Sequence, residues 1–441
     1  MTYLDKKWKI VLYGCAGLGL NMLNIIVGSY LCSALLVGGF ETNVESWTYA
    51  NKDLVIAALW ATIVFCIKVF DGIVDIPLSN FTDNLRTKWG RRRPAILIGL
   101  IPLIISYVLF TIPLNLEASI ANTIWFGVLL AIYYSSYTLT MVTYYATFAE
   151  IVETEHERVF LSNIKSVCDV AYFSLGFALV PAFISMGINI RIVALIFLPL
   201  AATMLIPLFL IKEKSTKDFV PAYDGVEQKR VGFITSLIYA FKNKHYIFWL
   251  FTHSVLNIGL QLFLGGINEF FSSTGLNMTF VMASSFVPVP LTLILYNKIV
   301  KKKGLKFGYQ YVILMFALGM ALMFFARRLD VSIMLPVAIF CSVIVSFAIG
   351  AFFSVTYTVP SHLAAEENKR SGICASSMYF AVQGLFEGIS AGTATGFILV
   401  YLKSADLIEY MTLIVTGFCL IAFCISFFLP KSIAFIGKEK S

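Results

Sequence analysis

The stretch WGRRRPAILIGLIPLIISYVLFTIPL, residues 89–114, shows the pattern that decides the fold: a cluster of basic residues precedes an apolar run without any charged side chain. About 20 apolar residues are what an α-helix needs to cross a bilayer. The pattern recurs along the 441 residues, of which 59% are apolar and 13% charged, with a mean hydropathy of +0.84. Soluble domains are roughly 45–50% apolar and about 25% charged, so the composition excludes a soluble globular protein.

The length of the apolar runs favours helices over a spanning β-barrel, whose strands would be short and alternating. We therefore predict an all-α membrane protein with twelve transmembrane helices. Their predicted positions are residues 8–37, 54–83, 94–114, 120–148, 163–187, 190–211, 246–271, 276–299, 308–326, 331–360, 373–402 and 405–430.

The basic residues indicate the orientation of these helices. Of the 33 lysines and arginines, 27 fall at the termini or in the loops on the same side as the termini, and 5 fall in the opposite loops. The positive-inside rule then places both termini in the cytoplasm. The net charge of +8 follows from this topology, so we expect no nucleic-acid partner.

A weak internal repeat divides the chain into halves. Basic triplets at 91–93 and 301–303 follow helices 2 and 8 at an offset of 210, and the pairs 157–158 and 369–370 follow helices 4 and 10 at an offset of about 212. Such a duplication predicts a substrate site between the halves and alternating access. The predicted organisation is an N-terminal six-helix bundle at 1–211, a cytoplasmic central loop at 212–245 and a C-terminal six-helix bundle at 246–441.

The chain lacks the sequence signs of an enzyme or of a metalloprotein. Its eight cysteines lie singly, with no CxxC motif or Cys/His cluster, which predicts neither a disulfide framework nor a zinc site. We find no cofactor-binding loop and no nucleophile with a base at a suitable spacing. We therefore expect no enzymatic activity and no cofactor.

Three charged residues inside predicted helix 2 carry the strongest functional signal. Lys68, Asp71 and Asp75 lie within about 60 degrees of one another around the helix, and each charge costs at least about 2.5–3.5 kcal/mol to insert. Two carboxylates one turn apart repel unless a cation binds between them, and oxygen ligands suit H⁺ or Na⁺. We predict a cation site at Asp71 and Asp75. The alternative is that Lys68 neutralises one aspartate and the cluster only holds helix 2 against a neighbour.

Other polar residues within the spans are candidates for substrate binding. Buried amides need partners, and tyrosine combines a flat apolar ring with a hydroxyl group, a mixture that suits a sugar. Asp169 and His253 are solitary in their helices, and their roles stay open between function and helix packing. The predicted substrate-binding residues are Asn21, Lys68, Tyr145, Gln383 and Glu387.

The segment KVFDGIVDIPLSNFTDNLRTKWGRRRP, residues 68–94, resembles the signature of the glycoside-pentoside-hexuronide:cation symporter family, the melibiose-permease-like branch of the major facilitator superfamily. The matching residues are Lys68, Asp71, Asp75 and Asp83, followed by the run at 89–94. The resemblance implies the major facilitator fold, a cation site on helix 2, and a sugar site on helices 1, 4, 5, 10 and 11.

The chain departs from that family at several sugar-binding positions. Asn21 replaces the family's sugar-binding aspartate of helix 1, and Tyr145 replaces a tryptophan of helix 4. Melibiose is therefore not the expected substrate. Val74 replaces an asparagine that helps to bind sodium, which favours H⁺ as the coupling ion.

Residues between helices 2 and 3 resemble the gating motif of the superfamily. These residues are Asp83, Gly90, Arg91 and Arg92. Plain positive-inside charge would explain the arginines but not the spaced aspartate and glycine, so we predict a cytoplasmic gate.

Together these features predict a monomeric secondary active transporter in the plasma membrane. We expect symport of a sugar or glycoside with H⁺ or Na⁺. The alternative is transport of a lysolipid or another amphipathic solute, because the same branch includes lysolipid carriers. A non-transporting receptor would not need paired carboxylates in helix 2.

Overall fold

A computed structural model describes residues 4, 6–40, 43–149, 151–152, 155–213, 215, 238, 241–274, 276, 278–371, 376–436 and 438. Over these residues the chain is helical, without a β-strand, and twelve helices are long and apolar enough to cross a membrane. The predicted all-α fold with twelve spans is therefore confirmed.

Six spanning helices belong to the first of two compact units, Met1–Tyr223. Most apolar runs begin directly after a loop with polar or basic residues. The six are α1 (Lys7–Leu35), α2 (Ala57–Asn84), α3 (Arg92–Leu109), α4 (Ile120–Ala146), α5 (Glu155–Ser185) and α6 (Ile190–Leu210).

The second unit, Asp224–Ser441, contains the other six spans. These are α7 (Lys244–Ser272), α8 (Ala283–Lys303), α9 (Leu305–Ala326), α10 (Val331–Ser371), α11 (Val382–Ser404) and α12 (Ile408–Ser426). The division between the units falls within the predicted loop at 212–245, and most of that loop lies outside the described residues, so it stays a prediction.

The helices pack in the same pattern within each unit. In the first unit, α1 packs against α5 and α6, while α4 packs against α2 and α3. In the second unit, α7 packs against α11 and α12, while α10 packs against α8 and α9. Equivalent neighbours in the two units are what a duplicated six-helix bundle predicts.

Helix α1 approaches α6 closely, and this contact determines where the polar residues of α1 lie within the first unit. A Cβ atom on Gly19 would lie 1.9 Å from the carbonyl oxygen of Leu200, so only glycine fits there. The Thr203 hydroxyl donates to the carbonyl of Ala16 at 2.8 Å. Pro199, which cannot donate a backbone hydrogen bond, lies in the 3₁₀-helical stretch Leu198–Met204 of α6 that makes this contact. The contact places the next polar residue of α1, Asn21, inside the unit.

Two helices extend well beyond the predicted spans. Helix α5 begins at Glu155 rather than at residue 163, and α10 continues to Ser371 rather than ending at 360. The prediction was wrong at these ends because hydropathy marks the thickness of the bilayer. Charged residues such as Glu and Lys are good helix formers, so a helix continues past its apolar segment.

Candidate functional site

The charged turn of α2 is held by α4. Lys68 and Asp71 of α2 are half-buried, and the Thr138 hydroxyl of α4 donates to Asp71 Oδ1 at 3.0 Å. The Lys68 ammonium lies 3.6 Å from the centroid of the Tyr134 ring, one helical turn earlier on α4, where the face of the ring attracts a cation. Lys68 and Asp71 also attract each other electrostatically. The structure thus brings together two of the three charges that the sequence singled out.

The third charge, Asp75, is half-buried one turn further along α2. Together with Lys68 and Asp71 it gives this part of the helix a formal charge of −1 when all three groups are ionised. A single bound monovalent cation would neutralise the set.

Asn21 of α1 is paired with the tyrosines of α4. The Tyr137 hydroxyl donates to Asn21 Oδ1 at 2.6 Å, and the Tyr137 ring stacks on that of Tyr133 with centroids 6.4 Å apart and planes at 15 degrees. The pair gives α1 and α4 one amide and one hydroxyl group side by side within an aromatic surface.

Tyr145 lies beside an ion pair on α5 that was not predicted from the sequence. Lys165 and Asp169 lie one turn apart on α5 with Nζ and Oδ2 separated by 2.5 Å, and their side chains are 26% and 27% exposed. The Lys165 ammonium is 4.9 Å from the centroid of the Tyr145 ring. Lys165 could have been found from the sequence, because it lies four residues before the solitary Asp169 and residues at that spacing are neighbours on a helix.

In the second unit, Glu387 of α11 is the centre of a polar cluster. Its Oε1 accepts a hydrogen bond from Gln383 Nε2 at 2.9 Å and lies 3.2 Å from His253 Nε2 of α7. Gln383 is fixed in turn, because its Nε2 also donates to the carbonyl of Thr356 at 2.8 Å and its Oε1 accepts from Trp249 Nε1 at 3.3 Å. The predicted substrate residues Gln383 and Glu387 therefore lie together, and His253 joins them.

One face of α7 continues this cluster. Trp249, His253, Asn257 and Gln261 recur every four residues, which places them on one side of the helix. Asn257 donates from Nδ2 to the carbonyl of Glu387 at 3.4 Å, and Gln261 Nε2 lies 3.5 Å from Asn257 Oδ1. The face is therefore a row of polar groups along the membrane-spanning part of α7.

The polar pairs of α5 and α11 occupy equivalent positions. Lys165 and Asp169 precede Gln383 and Glu387 by the same 218 residues, and each pair joins residues one turn apart on the fifth helix of its unit. Each unit therefore has a polar pair one turn apart on its fifth helix, charged in the first unit and partly neutral in the second.

A fully buried ion pair joins α7 to α11 sixteen residues beyond the His253–Glu387 contact. Lys403 Nζ lies 3.0 Å from Glu269 Oε1, and the two side chains are 2% and 0% exposed. The predicted end of this helix at residue 402 would place Lys403 in a loop, which is wrong, because Lys403 lies in the last turn of α11 and is buried. Glu269 was missed, although a single glutamate within an apolar run was a usable signal.

The predicted gating segment is held by a residue that follows α6. Glu213 Oε2 accepts a hydrogen bond from the backbone N–H of Arg92 at 2.8 Å, at the start of α3, where the helix dipole favours a negative charge. Gly90 has a φ of +88°, and a Cβ atom added at this position would meet the same carboxylate. Arg92 is buried and Arg91 half-buried, while the Asp83 side chain lies outside the described residues.

We expect Gly90→Ala to destabilise this segment by about 1–3 kcal/mol, because alanine is strained at positive φ. Its Cβ would also lie 2.3 Å from Glu213 Oε2. Thermal unfolding of the purified protein measures the loss. Glu213→Ala alone removes the hydrogen bond to Arg92 N–H, and in that background Gly90→Ala meets no clash, so Gly90→Ala should cost less there than in wild type. Equal melting temperatures for wild type and Gly90→Ala would contradict this geometry.

Comparison with known proteins gives the chain a set of relatives. A family model described as "MFS/sugar transport protein" matches residues 12–429. Lactose permease of Lactobacillus helveticus is 28% identical over 121 residues, which cover 26% of this chain and 19% of the permease. An uncharacterized symporter of Synechocystis is 28% identical over 125 residues, covering 27% of this chain and 22% of that protein. The matched segments thus span about a fifth of the length of these curated relatives.

Solved structures resemble the whole chain. The nucleoside transporter NupG is 15% identical with a TM-score of 0.66, and the match covers 97% of this chain and 100% of that one. A bacterial homologue of the human lysosomal transporter Spinster, in an inward-facing and unoccupied conformation, is 13% identical with a TM-score of 0.62, covering 99% and 100%. At these identities the likeness concerns the fold alone.

Proposed function

Because the chain belongs to the MFS/sugar transport protein family, we propose that it carries a sugar or glycoside across the plasma membrane together with H⁺ or Na⁺ by alternating access. Membership of this family agrees with the resemblance found at residues 68–94, and the predicted major facilitator fold is confirmed. The chain is a multi-pass membrane protein whose fold and relatives are those of transporters rather than enzymes.

The Asp71 carboxylate carries the proposal of cation coupling. It lies in the membrane-spanning part of α2, with a hydroxyl donor on α4 at 3.0 Å and Lys68 one turn away. A charge in a span costs at least about 2.5–3.5 kcal/mol, so a retained carboxylate indicates a function. The formal charges of Lys68, Asp71 and Asp75 sum to −1, and a bound H⁺ or Na⁺ would offset one negative charge, which lowers the cost of keeping these groups in the low-dielectric core while the carrier reorients.

We favour H⁺ as the coupling ion. Sodium requires several oxygen ligands, in the way that other hard cations do. Val74 lies beside Asp75 and has an apolar side chain. The sodium-binding members of the family that residues 68–94 resemble have an asparagine amide at this position. A proton needs only one carboxylate oxygen.

The substrate side of the proposal rests on polar groups that face one another in pairs. Asn21 with Tyr137 in the first unit offers an amide donor and a hydroxyl acceptor, and Glu387, held by Gln383 in the second unit, offers its Oε2 as an acceptor. Sugar hydroxyls donate and accept in the same way. Lactose permease among the relatives supports this substrate class.

Uptake by the purified protein in liposomes tests the proposal. We would measure lactose, melibiose, a pentose and a nucleoside under an imposed proton gradient, a sodium gradient and no gradient. One proton per substrate and a difference of one pH unit, worth about 1.4 kcal/mol, should give roughly tenfold accumulation. The proposal fails if no sugar enters faster than into protein-free liposomes, and transfer of a lysolipid under the same conditions would favour the amphipathic alternative.

A further inference from the structure

His253 is held in a defined position and has one unused nitrogen. Its ring stacks on Trp249 with centroids 5.1 Å apart and planes at 18 degrees. Nε2 lies 3.2 Å from Glu387 Oε1, whereas Nδ1 is buried and has no hydrogen-bond partner among the described residues. A carboxylate oxygen only accepts, so Nε2 carries the hydrogen and Nδ1 keeps a free lone pair. The ring can therefore accept a proton without breaking a hydrogen bond.

Glu387 connects this buried ring to an accessible surface. Its side chain is 33% exposed, compared with 6% for His253. Both hydrogen bonds to the carboxylate go to Oε1, so within the described part of the chain Oε2 has no partner. The carboxylate is therefore the more accessible of the two groups, and one of its oxygens is free to bind a further donor.

The surrounding groups leave the charge of the cluster uncompensated. Among the described residues, no lysine or arginine is paired with Glu387. With neutral His253 the cluster carries −1, and one added proton makes it neutral. The titratable groups on this part of α7 and on the neighbouring helices are Tyr246, Tyr379, Glu387, Tyr309 and Cys419. A tyrosine or thiol among these adds no positive charge, so among the described residues a proton bound by the His–Glu pair would neutralise the cluster.

We propose that His253 and Glu387 form a proton-binding site in the second unit, in addition to the α2 carboxylates of the first, with the proton residing on His253 opposite the Glu387 carboxylate. The inference deepens the proposed function, on which it rests, because Glu387 is also a proposed substrate-binding group. Substrate and proton would then be linked through one carboxylate, with Oε1 facing His253 and Oε2 facing the substrate.

Trp249 provides a direct test, because a protonated imidazole quenches the fluorescence of an indole stacked on it. The probe is the proton alone: the purified full-length protein is titrated between about pH 5 and pH 9 without substrate, and the emission of Trp249→Phe is subtracted from that of wild type. We expect the emission of Trp249 to fall as the pH falls, in a single transition. His253→Gln should abolish the transition.

Glu387→Gln distinguishes the pair from an isolated histidine. The variant removes the negative charge that faces the ring at 3.2 Å, so the midpoint of the emission change should move to lower pH. His245→Gln, at the exposed start of α7, is the matched control and should leave the titration unchanged. A flat titration of folded wild-type protein, or an unshifted midpoint in Glu387→Gln, would overturn the proposal.

The titration needs no substrate, so its result is independent of the transport proposal. A protein that couples sugar to protons through Asp71 could show no transition at Trp249, which would remove the second proton site and leave the proposed function intact. A clear transition at Trp249 in a protein that takes up no sugar would support the second proton site and contradict the proposed function.

Discussion

Asp71→Asn is expected to abolish uphill accumulation of substrate while downhill exchange continues. Asparagine has nearly the same shape, and its carbonyl oxygen can still accept the hydrogen bond that the Thr138 hydroxyl donates at 3.0 Å. The change removes one negative charge, so the set of Lys68, Asp71 and Asp75 goes from −1 to neutral without a cation. The empty carrier then resembles the cation-loaded one and can reorient without binding H⁺ or Na⁺.

The measurement is the ratio of internal to external substrate in liposomes with a difference of one pH unit, using the sugar that wild type accumulates best. Wild type should reach roughly tenfold and Asp71→Asn about one. Glu117→Gln removes an exposed loop carboxylate of the same unit and should behave as wild type. Wild-type accumulation by Asp71→Asn would show that the coupling cation binds elsewhere.

The number and kind of spans could be predicted because hydropathy reports directly on transfer into the bilayer. The same quantity misplaced the start of α5 and the end of α10, since a helix does not end where its contact with lipid ends. Hydropathy also placed Lys403 in a loop. The buried carboxylate of Glu269 on α7 compensates the charge of Lys403, which allows this lysine to lie inside the second unit.

The site was predictable only where its members lie on one helix. The spacing of Lys68 and Asp71 indicated that they share a face, and their proximity requires nothing beyond helical geometry. Their partners on α4, Tyr134 and Thr138, could not be found in this way, because the rotation of one helix against another depends on the packing of many side chains. His253 shows the same limit, since Glu387 is 134 residues away in sequence.

Breaking the ion pair of Glu269 and Lys403 is expected to have the largest effect on stability. Both side chains are almost completely buried, and the second oxygen of Glu269 has no hydrogen-bond partner among the described residues. Lys403→Met would therefore leave a buried carboxylate without compensation, at a cost of about 3–5 kcal/mol. In a unit of this size the apparent melting temperature should fall by roughly 10 °C.

The pH dependence of that loss identifies the group left behind. In Lys403→Met the unpaired carboxylate can bind a proton, so stability should recover as the pH falls. In Glu269→Gln the Lys403 ammonium loses the carboxylate that faces it and can release a proton, so stability should recover as the pH rises. Opposite trends in two single variants are not expected from a simple change in packing.

The double variant Glu269→Gln with Lys403→Met removes both charges and should be more stable than either single variant, because no uncompensated charge remains. Lys165→Met is the matched control, since it breaks a lysine–carboxylate pair with side chains about one-quarter exposed, for which the expected loss is at most about 1 kcal/mol. Single variants as stable as wild type would mean that water compensates these charges. A double variant no better than the singles would mean that packing, and not charge, holds α7 against α11.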